Sequence, residues 1–129
     1  MLVNTPISVG ELLDKITILQ IKSERITVED KLLHVRYELQ ALSAVASELL
    51  TRSDDLDQLQ QQLKQVNEAL WDIEDDIRLC EKQQDFSDQF VQLARQVYFQ
   101  NDRRAKIKLK INELTGSELV EVKSYEEYV

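Results

Sequence analysis

Four consecutive residues, Asn101-Asp102-Arg103-Arg104, interrupt a row of apolar side chains that recurs every three or four positions. The row runs from Phe86 or Phe90 through Leu93 and Val97, then Gln100 and Arg104, and regains Ile107, Ile111 and Leu114. A guanidinium on an apolar seam is costly unless it is paired. Arg104 therefore calls for a carboxylate such as Glu74 or Asp102, for solvent, or for an anionic ligand. Arg103, Arg104, Lys106, Lys108 and Lys110 form a basic run that could partly face a phosphate or nucleotide-sugar, because a guanidinium fork matches such oxyanions. A plainer meaning competes with this one. Residues 54–88 hold eleven acidic against three basic side chains, whereas residues 89–114 hold six basic against two acidic ones. Two such segments attract each other as ion pairs along their flanks, and a polar layer between helices can serve only to fix register.

Other chemistry is sparsely represented. Asp72, Glu74, Asp75 and Asp76 cluster in sequence, but on a helix only Asp72 with Asp75 or Asp76 shares a face, which reads as a solvated acidic surface. One cysteine, Cys80, and one histidine, His34, cannot build a Cys/His zinc site. There is no Glu-x-x-His pair, no Ser-His-Asp context and no acidic loop with calcium spacing. No catalytic residue, metal or cofactor is expected. A net charge of −8 argues against nucleic acid as partner, since phosphate contacts need unopposed Lys and Arg. No run of 18 apolar residues and no signal-like amino terminus is present, so the expected setting is cytoplasmic, without membrane insertion.

The elements that must position these groups follow from spacing. With 129 residues, 43% apolar, but only two glycines and one proline, the chain suits a single all-α domain over residues 1–129 and disfavours a sandwich, a barrel or a glycine-rich phosphate loop. Ser8 and Glu11 have capping-box spacing and open a helix over about 8–25. Thr27 with Asp30 signals a second start, giving a helix over about 28–51 on Leu32, Val35, Leu39, Leu42, Ala46 and Leu49. Ser53 or Asp54 caps a third helix over about 55–84. Its row of Leu56, Leu59, Leu63, Val66, Leu70, Ile73, Ile77 and Cys80 alternates steps of three and four throughout. Asp85 and Ser87 cap a fourth helix over about 88–114, and Gly116 stops it. Residues 117–129 form a tail that lies extended. Short turns make this an antiparallel four-helix bundle with a long coiled-coil-like hairpin. A single bent helix replacing the first two is the alternative. Unequal helix lengths leave part of the long hairpin uncovered, which points to a homodimer or other homo-oligomer.

Counting residues outward from each turn places Lys22, His34, Tyr37, Asn67, Trp71, Glu74, Asn101, Asp102 and Arg104 in one layer halfway along the bundle. As a ligand site, Arg104 and Lys22 would take the anion, Asn101 and Asn67 would orient it, and Trp71 and Tyr37 would stack on it. Glu74 and Asp102 would pair with the cations.

The blocks LLDKITILQIKSERI (12–26), NEALWDIEDDIR (67–78), VYFQNDRRAKIKLKIN (97–112) and EVKSYEEY (121–128) together resemble a family of small bacterial proteins of unknown function. That resemblance implies an all-helical protein and an association with genes for cell-surface polysaccharide synthesis, but no catalytic residues. The segment GELLDKITILQIKSERI (10–26) is also similar to the opening helix of the all-helical chorismate mutases, although no Asp-x-x-Arg-Glu pattern follows it. Two functions are thus expected as alternatives. One is a non-catalytic helical binding or accessory module. The other is a small enzyme or sensor that binds a sugar phosphate, nucleotide-sugar or carboxylate in the mid-bundle layer.

Overall fold

A computed structural model describes residues 1–128 and contains four helices: α1 (Val9–Arg25), α2 (Glu29–Leu49), α3 (Asp54–Lys82) and α4 (Asp88–Thr115). No strand occurs among the described residues. The ends of the helices follow the local chemistry of the chain. Ser8 Oγ accepts from the backbone N–H of Glu11 at 3.1 Å, and Ser53 Oγ accepts from that of Leu56 at 3.1 Å. Gly116 takes a left-handed conformation (φ 67°) and closes α4, its N–H donating to the Asn112 carbonyl. Two expected caps do not form. Val28 rather than Thr27 occupies the N-cap position of α2 and offers no side-chain acceptor, and Ser87 caps α4 in position only, with Asp85 accepting from its N–H. Residues 26–28 separate α1 from α2, so the single bent helix does not occur.

The helices form two antiparallel hairpins, α1 with α2 and α3 with α4. Helix α1 is the hub: it packs against the other three, whereas the backbone of α2 approaches α1 alone. This asymmetry follows from composition. Helix α1 buries residues on nearly every side, while α2 buries only Leu32, Val35 and Ala46 and leaves Leu33, Tyr37, Val45 and Leu49 exposed. The core lies at the end of the bundle nearest the amino terminus. Leu12, Leu13 and Ile16 of α1 meet Ala46 of α2, Leu56, Leu63 and Val66 of α3, and Ile107 and Ile111 of α4. Each fully buried leucine or isoleucine here contributes about 1.5–3 kcal/mol relative to an exposed one.

The long hairpin outruns its cover. Arg25, the last residue of α1, reaches Asp72 of α3, and the hairpin continues past that level for another ten residues of α3 (73–82) before it turns. In this stretch Ile73, Ile77, Phe90, Leu93 and Val97 are only half-buried, and Leu79, Phe86 and Val91 are exposed. Cys80 is buried near the turn. After Gly116 the chain doubles back, and residues 117–128 run without regular structure along α4.

Candidate functional site

Within α1, Gly10, Asp14, Thr17 and Ile21 repeat at steps of four, three and four, so they share one face. That face meets α3 and α4 and carries polar groups where a core helix would place leucines. Asp14 is 1% exposed. Its Oδ1 accepts from Arg104 Nε at 2.9 Å and from Asn67 Nδ2 at 2.9 Å, and its Oδ2 accepts from Arg104 Nη2. Asn67 Nδ2 also reaches Thr17 Oγ1 at 3.0 Å, and Thr17 donates to the Asp14 carbonyl at 2.8 Å. The Asp14 hydrogen bond, with further help from Asp14, Glu11 and Glu121 as charges, outweighs burial and raises the pKa of Arg104 above its ordinary value.

One turn along α4 the polar row continues. Lys108, a buried residue, places Nζ 2.8 Å from Glu11 Oε2 and 2.9 Å from Glu121 Oε2, the second carboxylate coming from the returning tail. Burial pushes the Lys108 ammonium toward the neutral form, but the two carboxylates override it and its pKa ends above the ordinary lysine value. The same Lys108 hydrogen bond lowers the pKa of Glu121. A further turn along, Asn112 Oδ1 accepts from Gly10 N at 2.7 Å, and Ser117 Oγ accepts from Val9 N at 3.1 Å. The first three N–H groups of α1 are thus satisfied by Ser117, Asn112 and Ser8. Gly10 permits this approach, since a Cβ there would lie 2.7 Å from the Lys108 carbonyl oxygen. No buried side-chain nitrogen or oxygen among the described residues lacks a partner.

Beside this row a polar cleft of about 240 Å³ opens between α1, α4 and the tail, lined by Glu11, Asn101, Arg104, Ala105, Lys108, Glu121 and Lys123. The tail closes one side and is fastened again farther on. Tyr128 packs on Tyr98 and Phe99 with ring centroids 5.4 Å away in each case, and its phenol is held above the ordinary value first by the Asp102 carboxylate and then by desolvation.

A family model described as "Family of unknown function (DUF6165)" matches residues 3–129. The chain belongs to that family. No curated protein and no solved structure matches it. The DUF6165 match spans all four of the sequence blocks that carry the resemblance.

In this DUF6165 chain the expected layer forms only in part. Asn67, Asn101 and Arg104 do converge, with Asp14 bridging the first and last and Arg104 Nη1 lying 3.4 Å from Asn101 Oδ1. Asp102 belongs to the Tyr128 contact instead. Trp71 sits farther up the hairpin under Arg25, whose Cζ lies 5.8 Å from its ring centroid. Glu74 is exposed and pairs with Arg78 one turn on, not with Arg104. Lys22 is half-buried near the end of α1 and makes no ion pair among the described residues. Tyr37 is 65% exposed and His34 is exposed, because the backbone of α2 approaches α1 alone and does not close the layer from the fourth side. The expected ion pairs between α3 and α4 are also replaced. Among the described residues Arg104 and Lys108 of α4 pair with α1 and the tail while Arg95, Arg103, Lys106 and Lys110 make no ion pair, and Asp57, Glu68, Asp72 and Glu74 of α3 pair with Arg25, Arg52 and Arg78.

Asp14, Thr17, Asn112 and Glu121 complete the network and are not singled out by spacing, whereas Lys108 stands out only as a member of the basic run and Glu11 only as half of a capping box. The available signal was the Gly10-Asp14-Thr17 row, a second seam on α1 hidden beside the stronger apolar one of Leu12, Ile16 and Leu19.

Proposed function

We propose that this protein is a cytoplasmic, non-catalytic interaction or accessory module that works as a homodimer through the far half of the α3–α4 hairpin. The observation that supports this reading is the uncovered seam: α1 ends at the level of Asp72, and beyond it Leu79, Phe86 and Val91 remain exposed and Ile73, Ile77 and Leu93 half-buried. A second hairpin, related by a two-fold axis, would supply the two missing helices of a four-helix section. In this half α3 carries Glu74, Asp75, Asp76 and Glu81 against Arg78 and Lys82, whereas α4 carries Asp88 against Arg95, so repulsion disfavours α3 against α3 and leaves α3 of one copy beside α4 of the other as the milder pairing. The polar network agrees with a non-catalytic role, because its charges are matched internally. The resemblance of the four sequence blocks implies an association with cell-surface polysaccharide synthesis, which makes a glycosyltransferase or nucleotide-sugar enzyme the first heterologous partner to test. Sedimentation equilibrium over the micromolar range tests the dimer, which should dissociate in the Leu79→Asp variant. A compact wild-type monomer throughout that range overturns the reading.

A second reading is favoured by the cleft beside Lys108. Three cations, Arg104, Lys108 and Lys123, line it together with Asn101 and the carboxylates of Glu11 and Glu121, so it suits a phosphate or carboxylate group of a small metabolite that takes the place of one of those carboxylates.

A further inference from the structure

Arg104 and Lys108 already have carboxylates on α1: Asp14 for the first and Glu11 for the second. Glu121 is the third carboxylate of the cluster, set against its third cation, Lys123. It differs from the other two in how it is held. Asp14 is buried and Glu11 rides on a packed helix, whereas Glu121 lies in the irregular tail with a side chain 42% exposed. Its neighbours Leu119, Val120 and Val122 are exposed as well. What keeps the carboxylate in place is Lys108 Nζ at 2.9 Å, assisted by Lys123 Nζ at 3.9 Å.

Two cavities flank this side chain. The polar cleft of about 240 Å³ lies toward Arg104 and Asn101, and a second of about 170 Å³ lies toward Leu109 and Asn112. Both are lined by Ala105, Lys108, Glu121 and Lys123. Ala105 contributes only a methyl group to the wall, which leaves the room. Glu121 thus stands between the two cavities, on a segment outside the helices.

We infer that Glu121 is a built-in placeholder in an anion site formed by Lys108, Lys123 and Arg104, and that a phosphate or carboxylate group of a small molecule binds by replacing it. This inference rests on the second reading above. The placeholder competes from within the same chain, so it lowers the apparent affinity for the external anion by the fraction of time it is seated. It also keeps Lys108 from being left with a single carboxylate when the site is empty of ligand.

The test is an NMR titration of the full chain with inorganic phosphate and, separately, with succinate. It compares wild type, Glu121→Gln, Ala105→Leu and the double variant. Glu121→Gln should bind at least one probe roughly tenfold more tightly than wild type, with shifts at Ala105, Lys108 and Lys123. Ala105→Leu fills the cavities without altering a charge, in a position where leucine suits a helix, and should abolish binding in both backgrounds. The probe that gains more from Glu121→Gln identifies the oxyanion. Equal affinity of wild type and Glu121→Gln, both lost on Ala105→Leu, overturns the placeholder while leaving the anion site standing. Absence of saturable binding to wild type and Glu121→Gln at millimolar probe, or binding indifferent to Ala105→Leu, overturns both.

Discussion

Arg104 holds the buried carboxylate of Asp14 through two guanidinium nitrogens, across 90 positions of the chain. The pair joins α4 to α1, and because Asn67 donates to the same Asp14 oxygen, α3 is fixed at the same level. A layer with this geometry penalises sliding of any of the three helices, since a shift of one turn would strand a buried carboxylate. Apolar contacts alone would tolerate such a slip far better.

Removing one partner should cost far more than removing both. Asp14→Ala strands Arg104, which is partly solvated, and is expected to destabilise by about 2–4 kcal/mol in urea unfolding. The double variant Asp14→Leu with Arg104→Met should return to within about 1 kcal/mol of wild type, since well-packed apolar residues can replace a buried ion pair. Comparing the single and double variants in a thermodynamic cycle isolates the coupling.

The two glycines should respond to alanine for different reasons. At Gly10 the added methyl meets the Lys108 carbonyl oxygen at 2.7 Å and the Asn112 side chain at 3.0 Å, so α1 and α4 must separate. A loss of about 1–3 kcal/mol is expected, with the Gly10–Asn112 hydrogen bond weakened. At Gly116 nothing lies within 4 Å, and only the left-handed backbone (φ 67°) resists, which costs about 1–2 kcal/mol. Thermal melts of both, together with amide exchange at Gly10, separate the two mechanisms.

The tail should release at both ends of the pH scale. The pKa of Glu121 is lowered in the folded chain, so its contribution is complete above the ordinary carboxyl range and is lost as pH falls through the depressed value. The pKa values of Lys108 and Tyr128 are raised, so their contributions are complete below the ordinary lysine and tyrosine values and disappear as pH rises through the elevated ones. Ring-proton contacts between Tyr128 and Phe99 should therefore persist near neutrality and vanish at each extreme. Glu121→Gln should remove most of the acid-side transition and leave the alkaline one.

Trp71 is the only tryptophan, so its emission reports directly on Arg25. Arg25→Ala removes the guanidinium above the ring and the 2.6 Å contact with Asp72. The expected outcome is a red-shifted emission with a stability loss of no more than about 1 kcal/mol, because the ion pair is largely exposed. A shift without loss of helical circular dichroism would locate the change at this junction.

Much of the architecture was legible because helix formation is local. The three-and-four spacing of Leu56 through Cys80, the Ser8 and Ser53 caps and the Gly116 stop each depend on neighbours within one turn, and these features hold in the folded chain. The level of Asn67 with Arg104 was legible too, since it depends on residues counted from a short turn. The identity of Arg104's partner was not. Several carboxylates were compatible with its charge and height, and only the rotation of α1 about its axis, set by packing on three sides, brings Asp14 inward. Tyr37 fails to join for the converse reason: its height was readable, but α2's distance from α3 and α4 was not. The sequence by itself determined an all-helical chain, the seams of its helices and the ends set at Ser8, Ser53 and Gly116. The tertiary structure decided which charges meet, because charge-to-charge contact depends on the rotation and separation of whole helices, quantities that no local pattern encodes.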